Sequence, residues 1–389
     1  MNEITTFRHL TPPFRTFCGT GSLSRLSGEL DRGRCQRTVV LSGKSIHQFD
    51  DVTSRLEVLL GSRLAGWFDG VEAHSSLSSV ELARDALVRA RADSVIALGG
   101  GSAIVTARAA TILVAEKRSV RELCTYRTPE GELVSPKLLA PKLPIYVIPS
   151  TPTTAYAKAG SAVRDPQTGE RLALYDPKTR ASALFLDPMI AATAPISLSF
   201  ASALNAFSMT IESIQGNADD PLTEGLLTCA LRIFSRSLPK AISSPDELPV
   251  RIQLMIGALL AGQASDYTGG GLAQTLAHAA GPRSMVSNGI VEAILLPHAV
   301  RFNAPVTQGR LAVVANELGG TRLEPECDES AIVSDFLAEL KLPSRLRDVG
   351  VAKESIDEIA DHAMDDWTLS RVPRPVQKRD ITELLQAAW

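Results

Sequence analysis

The pattern of apolar residues changes character once, midway along the chain. That change limits the fold more than any single motif. Up to about residue 192, short β-branched runs alternate with amphipathic helical stretches. RTVVLSG (37–43), LPIYVIPST (143–151) and ASALFLDP (181–188) are strand candidates. So is the apolar start of SVIALGGGSAIVTARAA (94–110), which runs through a glycine turn into a helix. SVELARDALVRARAD (79–93) places Val80, Ala83, Leu87 and Ala90 on one helical face. Alternation of this kind predicts a mostly parallel, doubly wound, Rossmann-like sheet. From about Ser197 the strand signals stop. Helices are expected at 199–214, 222–238, 248–264, 271–280, 289–302, 329–341, 353–364 and 380–388, with breaks at Pro221, Pro239, Pro245, Pro282 and Pro305. The expected organisation is a nucleotide-binding α/β domain over 1–192 and an all-helical domain over 193–389. The boundary falls in 188–197, which holds Pro188 and Pro195. A chain of 389 residues is also too long for one comfortable core.

Charge excludes some functions. Lys+Arg number 40 against Asp+Glu 43, with no long run of one sign, so there is no footprint for nucleic acid. The five cysteines, Cys18, Cys35, Cys124, Cys229 and Cys327, are dispersed and form no CxxC pair. Such a set predicts reduced thiols and a cytoplasmic location. The opening MNEITTFRHLTPPF lacks the long apolar run of a secretory signal. The least charged stretch, Pro188 to Ile211, contains two prolines and many small polar residues, so it reads as a buried loop and helix, not a membrane span.

Within VIALGGGSAIV, an apolar strand enters Gly99, Gly100, Gly101 and Ser102 and then a helix. Glycine lets the backbone approach a ligand closely, and a helix start offers free N–H groups to a phosphate. A tight packing turn would look similar, and the spacing is not GxGxxG. PSTPTTAYAKAGS (149–161) follows another strand and supplies hydroxyls at Ser150, Thr151, Thr153 and Thr154. Two such edges in one domain point to a nucleotide pyrophosphate. In the helical half, GGGLAQTLAHAAGPRSMVSNGI (269–290) looks like the wall of a binding site, with His278 at its centre.

FCGTGSL (17–23), GGGS (99–102), PSTPTTAY (149–156) and LPHAVRFN (296–303), taken in order, resemble the iron-type (group III) alcohol dehydrogenases, in particular the maleylacetate reductase branch. The resemblance implies a dehydroquinate synthase-like fold: an α/β nucleotide domain, an all-helical domain and an active-site cleft between them. It implies NAD(P) as cofactor, a small alcohol, aldehyde or ketone as substrate, and a homodimer.

The relatives bind Fe or Zn through one aspartate and three histidines. The resemblance puts those places on Asn205, Met209, Gln274 and Asn288. Amides and a thioether suit a divalent first-row metal poorly, so no metal is expected. Asparagine at the first place fits the maleylacetate reductases; the loss of all three histidines does not. His278 matches a family histidine beside the nicotinamide that relays protons, although a buried core histidine is the plain alternative. His298, in LLPHAV, reads as structural. Val105 and Arg108 stand where the family writes an acid and a lysine. Gly43 and Lys44 in LSGKS would tolerate or favour a 2′-phosphate, which leans the cofactor toward NADPH.

Without a metal, hydrogen-bond donors must stabilise the developing alkoxide. His278 is the leading acid; Tyr156, Asp266 and Tyr267 are further catalytic candidates. Asn205, Met209, Gln274, Asn288, Lys158 and Arg283 are candidates to bind substrate, Arg283 through a carboxylate. Two readings stay open. One is a metal-independent NAD(P)H-dependent reductase of a small activated carbonyl or unsaturated keto acid. The other is a relative that lost redox chemistry and works as a lyase, isomerase, hydrolase or ligand-binding protein.

Overall fold

The computed structural model describes residues 6–216, 220–319 and 329–389, except the side chains of Tyr267, Gln308 and Glu329. Cys327 and the first five residues of the N-terminal stretch therefore lie outside the described residues. Two compact units emerge. One comprises Thr11–Thr151 and Ala155–Pro195; the other comprises Ile196–Trp389 with the N-terminal segment to Leu10 and Pro152–Thr154.

The first unit contains ten strands among the described residues. They are β1 (Arg15–Cys18), β2 (Thr38–Ser42), β3 (Leu64–Phe68), β4 (Ser94–Gly99), β5 (Tyr126–Arg127), β6 (Leu133–Val134), β7 (Ile145–Pro149), β8 (Gly160–Arg164), β9 (Arg171–Tyr175) and β10 (Ala181–Leu186). Six of them form a parallel sheet in the order β1-β10-β7-β4-β2-β3. The pairs β5–β6 and β8–β9 are antiparallel hairpins. Strands β2, β4 and β7 are buried throughout, as sheets covered on both faces require.

The helices of this unit are α1 (Leu26–Arg32), α2 (Lys44–His47), α3 (Asp50–Leu60), α4 (Leu77–Arg89), α5 (Gly101–Glu116), α6 (Val120–Leu123) and α7 (Pro188–Ala192). Alternate strand residues Val40, Ile96, Leu98, Tyr146, Ile148, Ala183 and Phe185 share a core with Leu26 and Leu30 of α1 and Leu56 and Leu60 of α3. A second core joins Val80 of α4, Ile112 and Leu113 of α5 and Val163, Leu172 and Leu174 of the β8–β9 hairpin. Chain order runs outward from β2 to β3, then returns to β4 on the other side of β2 and continues to β7 and β10. The winding reverses between β2 and β4, and ligands of open α/β sheets bind at the carboxyl ends of strands at such a point.

The second unit holds α8 (Ile196–Gln215), α9 (Pro221–Ser243), α10 (Leu248–Thr268), α11 (Leu272–Ala280), α12 (Asn288–Gly319), α13 (Glu329–Glu339), α14 (Ile356–Met364) and α15 (Lys378–Ala388). Helix α8 packs against α9, α10, α11 and α12. Its residues from Phe207 to Gln215 are all buried, the mark of a central helix. Two expected breaks are corrected: Pro239 lies inside α9 and Pro305 inside α12. Proline costs a helix one hydrogen bond and a steric clash without always ending it. Pro305 and Arg301, whose carbonyl loses its helical partner, are both exposed, so water can take over that bond. No helix among the described residues is long and apolar enough to cross a membrane.

Candidate active site

In the α/β unit, the carboxyl ends of β2, β4 and β7 lie side by side, and each carries one predicted element. After β4, Gly99 has φ +133°, a value that L side chains rarely adopt. Gly100 is the N-cap of α5 and Gly101 its first residue. A Cβ on Gly100 would lie 3.1 Å from Thr151 Oγ1, so turn and loop already touch. Ser150 N–H donates to the Gly99 carbonyl at 3.0 Å, joining the same two elements. The glycine turn leads directly into the N-terminus of α5, whose first N–H groups are of the kind that can receive a phosphate.

Other side chains shape this edge. Ser102 Oγ accepts from His74 N at 3.1 Å. Ser150 and Thr151 are buried, and the Tyr156 hydroxyl donates to the Thr151 carbonyl. Tyr156 is itself 1% exposed, so its phenol braces the loop. Arg108, also 1% exposed, donates to the carbonyls of Gly160 and Ala155. Arg108 thereby ties α5 to the chain beyond the loop. After β2, Gly43 caps α2 and Lys44 is exposed. Lys158 is half-buried; Thr153 and Thr154 belong to the helical unit, where Thr154 is buried.

In the helical unit, Asn205 of α8 and the backbone of Gln274 in α11 meet buried carboxylates that sequence reading missed, Glu292 and Glu212. Asn205 Nδ2 donates to Glu292 Oε1 at 2.6 Å, and Glu292 is 1% exposed. Met209, one turn further along α8, is buried. The Gln274 amide oxygen lies over Gly270, where a Cβ would sit 1.6 Å away. The Asn288 amide oxygen lies over Gly281 in the same manner, at 2.1 Å. Asp266 is half-buried, and the Tyr267 side chain lies outside the described residues. Among the described residues, no three or more His, Cys, Asp or Glu side chains gather as a metal centre would need. Asn205, Gln274 and Asn288 offer amides and Met209 a thioether, a donor set that suits Fe or Zn less well than imidazole and carboxylate.

Glu212 of α8 is a second buried acid. It accepts from Ala273 N at 2.6 Å and Gln274 N at 3.2 Å, in the first turn of α11. A carboxylate there satisfies orphan N–H groups and meets the positive end of the helix. Burial nonetheless outweighs those bonds and pushes the Glu212 carboxyl up to about 7. Gly271 permits the contact: a Cβ would sit 2.5 Å from Glu212 Cδ.

His278 stands in the last turn of α11, its Nδ1 2.7 Å from Asp366 Oδ2. His298 is a different case. Burial, with Arg301 and Arg345 adding to it, lowers its pKa, which favours the neutral ring. Arg283 donates to the Ala279 carbonyl and to Glu358 Oε1 at 2.6 Å, and its Nη2 lies 3.2 Å from His362 Nδ1. Its guanidinium, expected from sequence to pair a substrate carboxylate, is paired here with the exposed carboxylate of Glu358.

Residues 13–188 match the family "Iron-containing alcohol dehydrogenase", and 199–389 match "Fe-containing alcohol dehydrogenase family, C-terminal". The chain belongs to the iron-containing alcohol dehydrogenase family. It is an oxidoreductase of that family, with the family's parallel-sheet and helical domains. It is 28% identical to lactaldehyde reductase of Escherichia coli (strain K12) over 380 residues, covering 95% of this chain and 97% of that one. It is 26% identical to maleylacetate reductase 1 of Cupriavidus pinatubonensis (strain JMP 134 / LMG 1197) over 389 residues, covering 99% and 97%. The crystal structure of maleylacetate reductase from Rhizobium sp. strain MTP-10005 is similar to it with a TM-score of 0.80 at 26% identity, covering 99% of both chains.

Proposed function

We propose that this family member is a metal-independent reductase of a small activated carbonyl or unsaturated keto acid, using NADPH in preference to NADH. The reading rests on the donor set of the helical unit: amides where the family places cation ligands, beside a histidine that can carry a proton. It also places the enzyme as a homodimer in the cytoplasm, a setting that suits free thiols at Cys18, Cys35, Cys124 and Cys229.

The Gly99–Ser102 turn and the Ser150–Thr154 loop would hold the cofactor phosphates. When bound, the reduced nicotinamide supplies a hydride to the carbonyl carbon. Asn205, Gln274 and Asn288 orient the substrate by hydrogen bonds. His278 gives a proton to the carbonyl oxygen as the alkoxide develops, then takes one back from solvent. Products are the alcohol and oxidised cofactor, so hydride and proton balance. An activated ketone needs less help at its oxygen than a simple one, so amide donors suffice where relatives use a Lewis acid. Arg283 would take a substrate carboxylate by exchanging its exposed pairing with Glu358, an ion pair of little strength.

Fluorescence titration tests the cofactor half. The native protein is expected to bind NADPH more tightly than NADH. Lys44→Glu should reverse that order, weakening NADPH about 10-fold or more by replacing an attractive charge with a repulsive one near the 2′-phosphate. No binding of either cofactor at millimolar concentration removes the reductase reading. Binding without hydride transfer to a panel of keto acids favours a non-redox role.

A further inference from the structure

We propose that Asp366 is the positioning residue of the proton donor, forming with His278 an acid dyad that the loss of metal ligands has made necessary. The proposal rests on the reading of His278 as the acid.

Asp366 spends its two oxygens differently. Oδ1 accepts from Thr368 N at 2.9 Å and from Thr368 Oγ1 at 2.6 Å, as N-cap of a 3₁₀ turn over Trp367–Arg371. Capping needs only that oxygen. Oδ2 is turned to His278 Nδ1 at 2.7 Å, with the two side chains 7% and 12% exposed. The turn is pinned to the helix that carries the histidine: Thr368 Oγ1 meets Thr275 Oγ1 of α11 at 2.5 Å. Thr275 lies three residues before His278, on the same helical face. Thr275, Thr368, Asp366 and His278 therefore form a chain of contacts that fixes the carboxylate of Asp366 against Nδ1 of the imidazole.

The chemistry follows from the donor and acceptor types. An ionised carboxylate only accepts, so Nδ1 carries a hydrogen and Nε2 is the nitrogen that exchanges the substrate proton. The same charge favours the imidazolium, the form that must be present before hydride transfer. Other charged or titratable groups on elements packed against α11 are Glu212 on α8, Glu292, His298, Arg301, Arg310 and Glu317 on α12, Arg283 in the turn after α11, Asp357, Glu358, Asp361 and His362 on α14, and Arg371 in the turn that Asp366 caps. All of them remain in Asp366→Asn, so the difference between native protein and that variant isolates the carboxylate.

The test compares native protein, Asp366→Asn, Asp366→Glu and His278→Gln. Each is assayed for NADPH-dependent reduction of activated keto acids from pH 5 to 9 and by ¹⁵N NMR of the imidazoles, with His278 assigned by its loss in His278→Gln. Asparagine keeps an oxygen for the cap, so the turn is expected to persist. Asp366→Asn should lower kcat about 10-fold or more with little change in KM, and move the alkaline limb of kcat and the His278 titration to lower pH. Asp366→Glu should restore part of both. A His278 titration and tautomer unchanged in Asp366→Asn would overturn the dyad. If no protein reduces any keto acid yet the His278 titration shifts as described, the reductase reading fails while the pairing stands.

Discussion

His278→Gln is expected to lower kcat by about 10²–10⁴-fold, the range lost when a positioned proton donor is removed. NADPH affinity should hardly change, because the glycine turn belongs to the α/β unit and His278 to the helical one. Glutamine can still hydrogen-bond to Asp366 but cannot carry a proton at neutral pH. The fold of α11 should survive, since His278 retains 12% side-chain exposure and glutamine is a good helix former. Steady-state kinetics with NADPH titrations on the same samples checks this. A variant that keeps native turnover would show that the proton comes from elsewhere.

Glu212→Ala is expected to be the most destabilising substitution at the site. It removes the acceptor for Ala273 and Gln274 N–H and strands buried donors at the start of α11. Leaving a buried donor without its acceptor costs about 1–3 kcal/mol, and two are stranded here. In a unit of this size each kcal/mol moves Tm by roughly 2–4 °C, so a fall of about 10 °C is expected. Glu212→Gln keeps an oxygen and should cost less, but it removes the titration. The folded-state carboxyl is held at about 7 against an ordinary value of 4.5. Between those values the folded state binds more protons than the unfolded one. Stability contributed by protonated Glu212 is therefore full below pH 4.5 and is lost as pH rises through about 7. The stability of native protein minus that of Glu212→Gln should fall across this window and be flat outside it. Denaturant melts at several pH values measure the difference; a difference independent of pH would show that the N–H groups of α11 hold Glu212 ionised throughout.

The strands and helices that place these residues were legible because their periodicities are strong. RTVVLSG and SVIALG have the continuous apolar character of doubly covered strands, and both fall in the sheet. The hairpins β5–β6 and β8–β9 gave no such signal: the first has two residues per strand, and the second alternates within loop-like text. Pro239 and Pro305 misled because a proline in a packed helix is opposed by tertiary contacts that local rules omit.

The site divides in the same way. Asn205, Met209, Gln274 and Asn288 were proposed through the family resemblance, which says nothing of what surrounds them. Glu212 is the one charged residue of α8, and Glu292 the one charged residue between Asn288 and His298. Each lone acid in an apolar run was a signal for a buried carboxylate with a partner, since isolated buried charge is prohibitively costly. Asp366 offered less: Asp-x-Thr reads as a local cap, and its partner lies 88 residues away. Only the fold brings the two together.

The central claim is hydride transfer without a metal. The direct measurement is single-turnover oxidation of NADPH by chelator-treated protein with an activated keto acid, the metal content of the same sample being determined by elemental analysis. The account predicts transfer with far less than stoichiometric iron or zinc, at a rate that added Fe²⁺ or Zn²⁺ does not raise. Activity that appears only when one of those ions is restored, bound at one per chain, would contradict it.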